Sequence, residues 1–264
     1  MRNAEVLRVA RWILLGAVVP AAWAQSSQQA AVTPVKTPAV RQMERLVKFS
    51  GEKPVSGMPP QSNWAAALTD LSASFFSLQG DLTTGVYDVF STGSGDQLNT
   101  FYIPQNQTGE IRVAHPSYAT DILSGDDRLG KATVRSVGAA SLDGLSSNRD
   151  VWVYTSSTAP IPIVRNEELI LIYAEANIQQ SGFGNAVTAL NVIRTAHGLA
   201  PYSGAMTSQA LLTEMLYERR YSLYCEGHRW IDLRRYQLLG TLPIDRPGDA
   251  VWSAFPIPVS EAAN

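Results

Sequence analysis

Cysteine is almost missing: Cys225 is the only one in 264 residues. A single thiol excludes an intrachain disulfide framework and any zinc site built from cysteines alone. An excess of one charge is missing too. Lys and Arg total 21, Asp and Glu total 23, and the net charge is −2. A nucleic-acid binder should carry a strongly basic footprint, so that class is excluded. The 19 glycines and 15 prolines are ordinary frequencies and exclude collagen-like or low-complexity chains. Apolar runs of membrane-spanning length are also lacking. The run Trp12 to Val19 falls short of the roughly 20 residues a span needs, and no later segment reaches that length. What is present is 45% apolar residues, enough to bury a core in one large domain or two small ones.

The N-terminus has the parts of a secretory signal peptide. Arg2, Arg8 and Arg11 precede the apolar run, and Ala22-Trp23-Ala24 precedes Gln25 in an A-x-A-like pattern. Residues 1–24 are therefore expected to direct export and to be cut before Gln25. No cysteine stands near the cut, so a lipid anchor is not evident. Residues 25–62 read as a linker, interrupted by Pro34, Pro38, Pro54, Pro59 and Pro60. Only Val40–Phe49 has a helical face there, through Met43, Leu46 and Val47.

A globular domain is expected over 63–264. Trp64, Leu68, Leu71 and Phe75 recur at helical spacing. Residues 81–163 are rich in Gly, Ser, Thr and Asp. Their short apolar pieces, Val86-Tyr87-Asp88-Val89-Phe90 and Val151-Trp152-Val153-Tyr154, predict short strands or ordered loops. The last hundred residues predict helices with marked ends. Asn166 is the expected cap of the first, with Glu167 and Glu168 in its first turn and Leu169, Ile172, Tyr173 and Ala176 on one apolar face. Asn185 is the expected cap of the second, which Gly198 closes before Pro201. The two should pack as a helical hairpin like those of tetratricopeptide repeats. A third helix is predicted from Thr207-Ser208 to Cys225, and a short fourth starts near Trp230. The expected fold is mainly α, with tetratricopeptide-like hairpins and a loop-rich, partly β middle region.

Several blocks resemble the SusD/RagB family of outer-membrane nutrient-binding proteins. They are Pro160 to Leu169, Ile172-Tyr173-Ala174-Glu175-Ala176 and Ala189 to Arg194. The strongest is Tyr217-Glu218-Arg219-Arg220 leading into Glu226 to Arg235. Asp126-Asp127-Arg128 and the closing Phe255-Pro256-Ile257-Pro258 with Glu261 and Asn264 complete the resemblance, which covers about residues 64–264. Family members carry an N-terminal half rich in helical repeats, so the chain looks like the C-terminal portion of such a protein. The resemblance implies glycan or nutrient-oligomer binding at the outer membrane, for uptake through a SusC-like, TonB-dependent transporter. The alternatives are a helical-repeat module that binds protein, and a truncated member that has lost ligand binding.

No catalytic, metal-binding or cofactor-binding residue is expected. Glu226, His228 and Asp232 have the wrong spacing for H-E-x-x-H, and no G-x-S-x-G elbow occurs. The Glu226–Arg235 block reads instead as a structural junction, with its arginines paired to Glu218, Glu226 and Asp232. Sugars present apolar C–H faces that stack on aromatic rings. The candidate ligand contacts in the middle region are Tyr102, Tyr118, Trp152 and Tyr154. Strand alternation would put Trp152 and Tyr154 on one face.

Overall fold

The computed structural model describes residues 63–254. The expected signal peptide, the Pro-rich segment with its short helix, and the Phe255–Asn264 signature lie outside the described residues. The elements are α1 (Trp64–Ser72), β1 (Gly85–Asp88), α2 (Ser117–Thr120), a 3-10 turn (Asp127–Lys131), β2 (Ala132–Val134), β3 (Ala140–Leu142) and β4 (Leu145–Ser147). Then follow β5 (Arg149–Val151), β6 (Ile161–Arg165), α3 (Asn166–Gln179), α4 (Phe183–Ala196), α5 (Ser208–Ser222), α6 (Arg229–Arg235) and a second 3-10 turn (Leu239–Thr241). The fold is mainly α. Its strands form three separate antiparallel pairs, β1 with β6, β2 with β5 and β3 with β4. No helix among the described residues is long and apolar enough to cross a membrane.

Helix α3 is the centre of the hairpin. Leu169, Ile170, Leu171, Ile172, Ala174, Ala176 and Ile178 are all buried, so the helix is covered nearly all round rather than along one stripe. One side meets Ala186, Ala189, Leu190 and Ile193 of α4 together with Leu211, Met215 and Leu216 of α5. The other meets Leu71 of α1 and Val164 of β6.

Two expected caps are corrected. Asn166 is the first helical residue, preceded by Arg165 at the cap position. Its side chain accepts from the Ser77 N–H at 2.9 Å and donates to the Ser77 carbonyl at 2.8 Å, tying the 77–81 turn to the helix. Gly182, not Asn185, precedes α4, and the Asn185 side chain donates to Asn177. The closing glycine is as expected. Gly198 has φ +78°, Leu199 N–H reaches back to the Arg194 carbonyl at 2.9 Å, and a Cβ on Gly198 would lie 2.9 Å from the Gly125 carbonyl. Conformation and space both require glycine there.

The irregular middle region packs on α5 through a different core. Tyr118, Ala132, Val151 and Tyr221 are buried there, with Phe101, Tyr217 and Tyr224 against them. Tyr118 lies 5.0 Å from Tyr221 and 4.2 Å from Tyr224 between ring centroids.

Below this aromatic layer runs a chain of buried ion pairs. Arg128 binds both oxygens of Asp126, at 2.8 and 2.7 Å, and also Glu218 at 2.7 Å and the Ser222 hydroxyl at 2.9 Å. Arg165 pairs with Glu167 and with Glu226. Arg219 and Arg235 share Asp232, and Arg235 also holds Glu175. The Lys131 ammonium caps the end of α5 by donating to the Tyr221 and Ser222 carbonyls. Burial pulls that ammonium down to about 8.

Candidate functional site

Helix α5 ends at Ser222, earlier than the expected Cys225, because Cys225 adopts φ +65°. Gly227 follows at φ +85°. These turns swing the chain round so that α6 starts beside α2 and faces the 241–251 loop. A cleft of about 310 Å³ lies between them. Its walls mix aromatic rings and charge: Tyr118, Tyr224 and Trp230 with Arg220, Arg229 and Arg246.

Most charges in the cleft are answered by a neighbour. Arg220 donates to Asp121 at 2.9 Å and to the Ser117 carbonyl at 3.1 Å. Arg246 donates to both oxygens of Asp249, at 2.9 and 3.1 Å. The His115 Nδ1 lies 3.1 Å from the Ser117 backbone N–H and accepts from it, so its proton is on Nε2. That nitrogen lies 3.2 Å from each oxygen of Asp245. His115 thus caps α2 and fixes the 241–251 loop at once. The Trp230 indole N–H donates to the Trp252 carbonyl at 3.2 Å, and the Arg234 guanidinium lies 5.4 Å from the indole centroid.

Nucleophilic chemistry finds little support among these groups. Cys225 lines the cleft, but burial pushes its thiol up to about 12, so it stays protonated. Ser117 Oγ is 2.8 Å from His115 Nδ1, and Asp245 stands on the other ring nitrogen. However, Nδ1 already accepts the Ser117 N–H, and the hydroxyl also accepts from Arg220 at 3.1 Å. Those contacts describe a capped helix start. Among the described residues, no group of three His, Cys, Asp or Glu is placed to hold a metal ion.

The four candidate aromatics occupy three different places. Tyr118 lines the cleft but is only 3% exposed, and its hydroxyl donates to the Arg128 carbonyl at 2.9 Å. Tyr154 is 6% exposed, edge-on to Phe101 at 5.4 Å, and its hydroxyl has no hydrogen-bond partner among the described residues. Burial raises the pKa of both phenols. Tyr102 and Trp152 are half-buried neighbours, 6.0 Å between centroids and tilted by 51°. The expected shared face of Trp152 and Tyr154 does not form, because β5 ends at Val151 and alternation stops there. Trp230, Arg229 and the 241–251 loop were not singled out as ligand contacts from the sequence. The Gly227 interruption was the available signal, since it turns the start of α6 toward α2.

The Glu226–Arg235 block forms a junction, but its pairing extends further than expected. Arg219 meets Asp232 as expected, whereas Glu226 takes Arg165, and Glu218 takes Arg128. His228 and Glu168 face each other at 3.5 Å inside this junction. Burial pulls the imidazole down to about 3 and pushes the carboxyl up to about 7.

A model of the SusD family matches residues 123–254, which include the 3-10 turn, the hairpin, the junction and most of the cleft. The chain belongs to the SusD family. Two solved structures share its fold. A SusD superfamily protein from Parabacteroides distasonis is 16% identical with a TM-score of 0.52, over 74% of this chain and 51% of that one. Another, from Bacteroides fragilis, is 15% identical with a TM-score of 0.52, over 75% of this chain and 53% of that one. This SusD chain therefore spans about half the length of those relatives. Among curated proteins none matches it.

Proposed function

We propose that this SusD chain binds nutrient glycans without transforming them. The observation that carries the reading is the cleft, where Tyr224 and Trp230 stand among Arg220–Asp121, Arg246–Asp249 and His115–Asp245 pairs. Such a wall combines faces on which sugar C–H groups stack with donors and acceptors that read hydroxyls. The half-buried Tyr102–Trp152 pair supplies a second stacking contact outside the cleft lining. Tyr118 supports the cleft from below and Tyr154 supports Trp152's neighbours, so both act through packing.

The family places such proteins at the outer membrane, beside a SusC-like, TonB-dependent barrel that receives the cargo, and we extend both to this chain as part of the proposal. The protein-binding alternative called for an exposed apolar patch on the 166–197 hairpin. No large hydrophobic residue there is exposed, which favours the glycan reading.

The test is a glycan array probed with the purified chain, followed by co-purification with a SusC-like transporter encoded beside it. Retention of at least one glycan, abolished by Trp230→Ala, is expected. No retention by a chain with a cooperative melting transition would overturn the reading.

A further inference from the structure

Among the described residues, the cleft contains one charge that its neighbours do not answer. Arg229 is half-buried and lines the cleft, yet among the described residues it has neither a hydrogen bond nor an ion-pair partner. The carboxylates within its electrostatic reach are committed elsewhere. Asp232 is held by Arg219 and Arg235, and Asp121 by Arg220. Asp249 belongs to Arg246, and Asp245 accepts from His115. A half-buried guanidinium without an acceptor is costly, because its donors have lost water and gained nothing. Arg220 adds a second positive charge close by. Burial first, and that like charge second, hold the Arg229 guanidinium below its ordinary range. The surroundings therefore favour arrival of a negative group.

We propose that the cleft selects acidic glycans, with Arg229 binding the carboxylate of a uronic acid residue whose ring stacks on Trp230. This rests on the glycan-binding reading above and narrows its ligand class. A carboxylate matches the planar guanidinium fork with two parallel hydrogen bonds, which a sugar hydroxyl cannot do. It also neutralises the charge of Arg229, which has no carboxylate partner among the described residues, whereas Arg220 is already held by Asp121. The remaining ring hydroxyls donate to Asp245 and Asp249 from the 241–251 loop, so the cleft reads both parts of an acidic sugar. Arg229 and Trp230 are consecutive at the start of α6, which fixes the anion contact next to the stacking ring.

The experiment is calorimetry on the purified full chain with tetragalacturonate and with the same oligomer fully methyl-esterified. The free acid should bind more tightly than the ester by about tenfold or more, as expected for a charge-assisted hydrogen-bonded pair. Its affinity should fall as salt is raised. Arg229→Gln should remove the preference for the acid, and Arg229→Lys should restore part of it. The acid–ester comparison uses the parent protein, so it decides the matter even if a variant fails to fold. Equal affinity for acid and ester overturns the acidic-glycan inference, and retention of neutral glycans on the array then leaves the glycan reading standing. Absence of binding to either oligomer also overturns the inference. Absence of binding to every glycan on the array overturns the broader reading with it.

Discussion

The helical hairpin and the irregular middle region stand on the same helix, α5, but are held to it by different physics. The α3–α4 hairpin buries Leu190, Ile193, Leu211 and Met215 in an apolar core. Its contacts follow from helical periodicity. The middle region has only three-residue strands over residues 132–151 and reaches α5 through side chains far apart in sequence. Arg128 crosses to Glu218, Tyr118 packs on Tyr221, and Arg220 returns to Asp121. The hairpin is therefore a local construction, while the middle region depends on a few polar and aromatic bridges. The cleft forms where that bridged region meets the end of α5. Burying charges stabilises little in net terms, but removing one partner leaves the other stranded. This makes the middle region the more fragile of the two to single substitutions.

The largest expected effect tests that fragility. Arg128→Met should cost about 3–5 kcal/mol, because Asp126 would remain buried without its cation and Glu218 would keep only Arg194, 3.6 Å away. Chemical denaturation of parent and variant measures it, and a loss below about 1 kcal/mol would refute the claim that this bridge secures the region.

Leu190→Ala should cost about 3 kcal/mol through the cavity it leaves in the hairpin. Since α5 belongs to both cores, each variant should still melt in one transition. Two separated transitions would show that the regions fold independently.

Next comes a pH effect inside the junction. Glu168 has a folded pKa of about 7 against an ordinary 4.5, raised first by burial. Its contribution to stability is thus fully present below about 4.5 and lost as pH rises through 7. His228 runs the other way: its folded pKa of about 3 lies below the ordinary 6.5, so its contribution is lost as pH falls. Glu168→Gln removes only the first slope. The variant should gain stability relative to the parent as pH rises from 4.5 to 7. A difference that does not change with pH would show that Glu168 ionises normally in the folded protein.

The smallest expected effect on stability is at the half-buried pair. Trp152→Ala should lower the melting temperature only slightly and weaken binding of a retained glycan by about 0.5–1.5 kcal/mol beyond lost area. Unchanged affinity would remove Trp152 from the ligand contacts and leave the cleft alone.

The same contrast explains what could be read from the sequence. The hairpin, the start of α5 and the Gly198 stop were legible because helix periodicity and caps are local signals. Asn166 and Asn185 misled as caps because tertiary partners, the 77–81 turn and Asn177, claimed their side chains. The resemblance singled out Asp126, Arg128 and Glu218 in separate blocks, but nothing local says that they meet. The extended run at 151–154 suggested alternation, whereas Tyr154 turns into the core once β5 has ended. The expected junction pairs Arg219 and Arg235 with Asp232, whereas Arg229 and Trp230 line a cleft that depends on the remote 241–251 loop.

On the proposed function, the cleft, rather than the hairpin or the Tyr102–Trp152 pair, is the main seat of the ligand. Hydrogen–deuterium exchange, with and without a glycan retained on the array, tests it most directly. Protection should concentrate in 115–121, 223–230 and 241–251. Protection confined to the hairpin or to the segments around Tyr102 and Trp152, with the cleft unchanged, would contradict it.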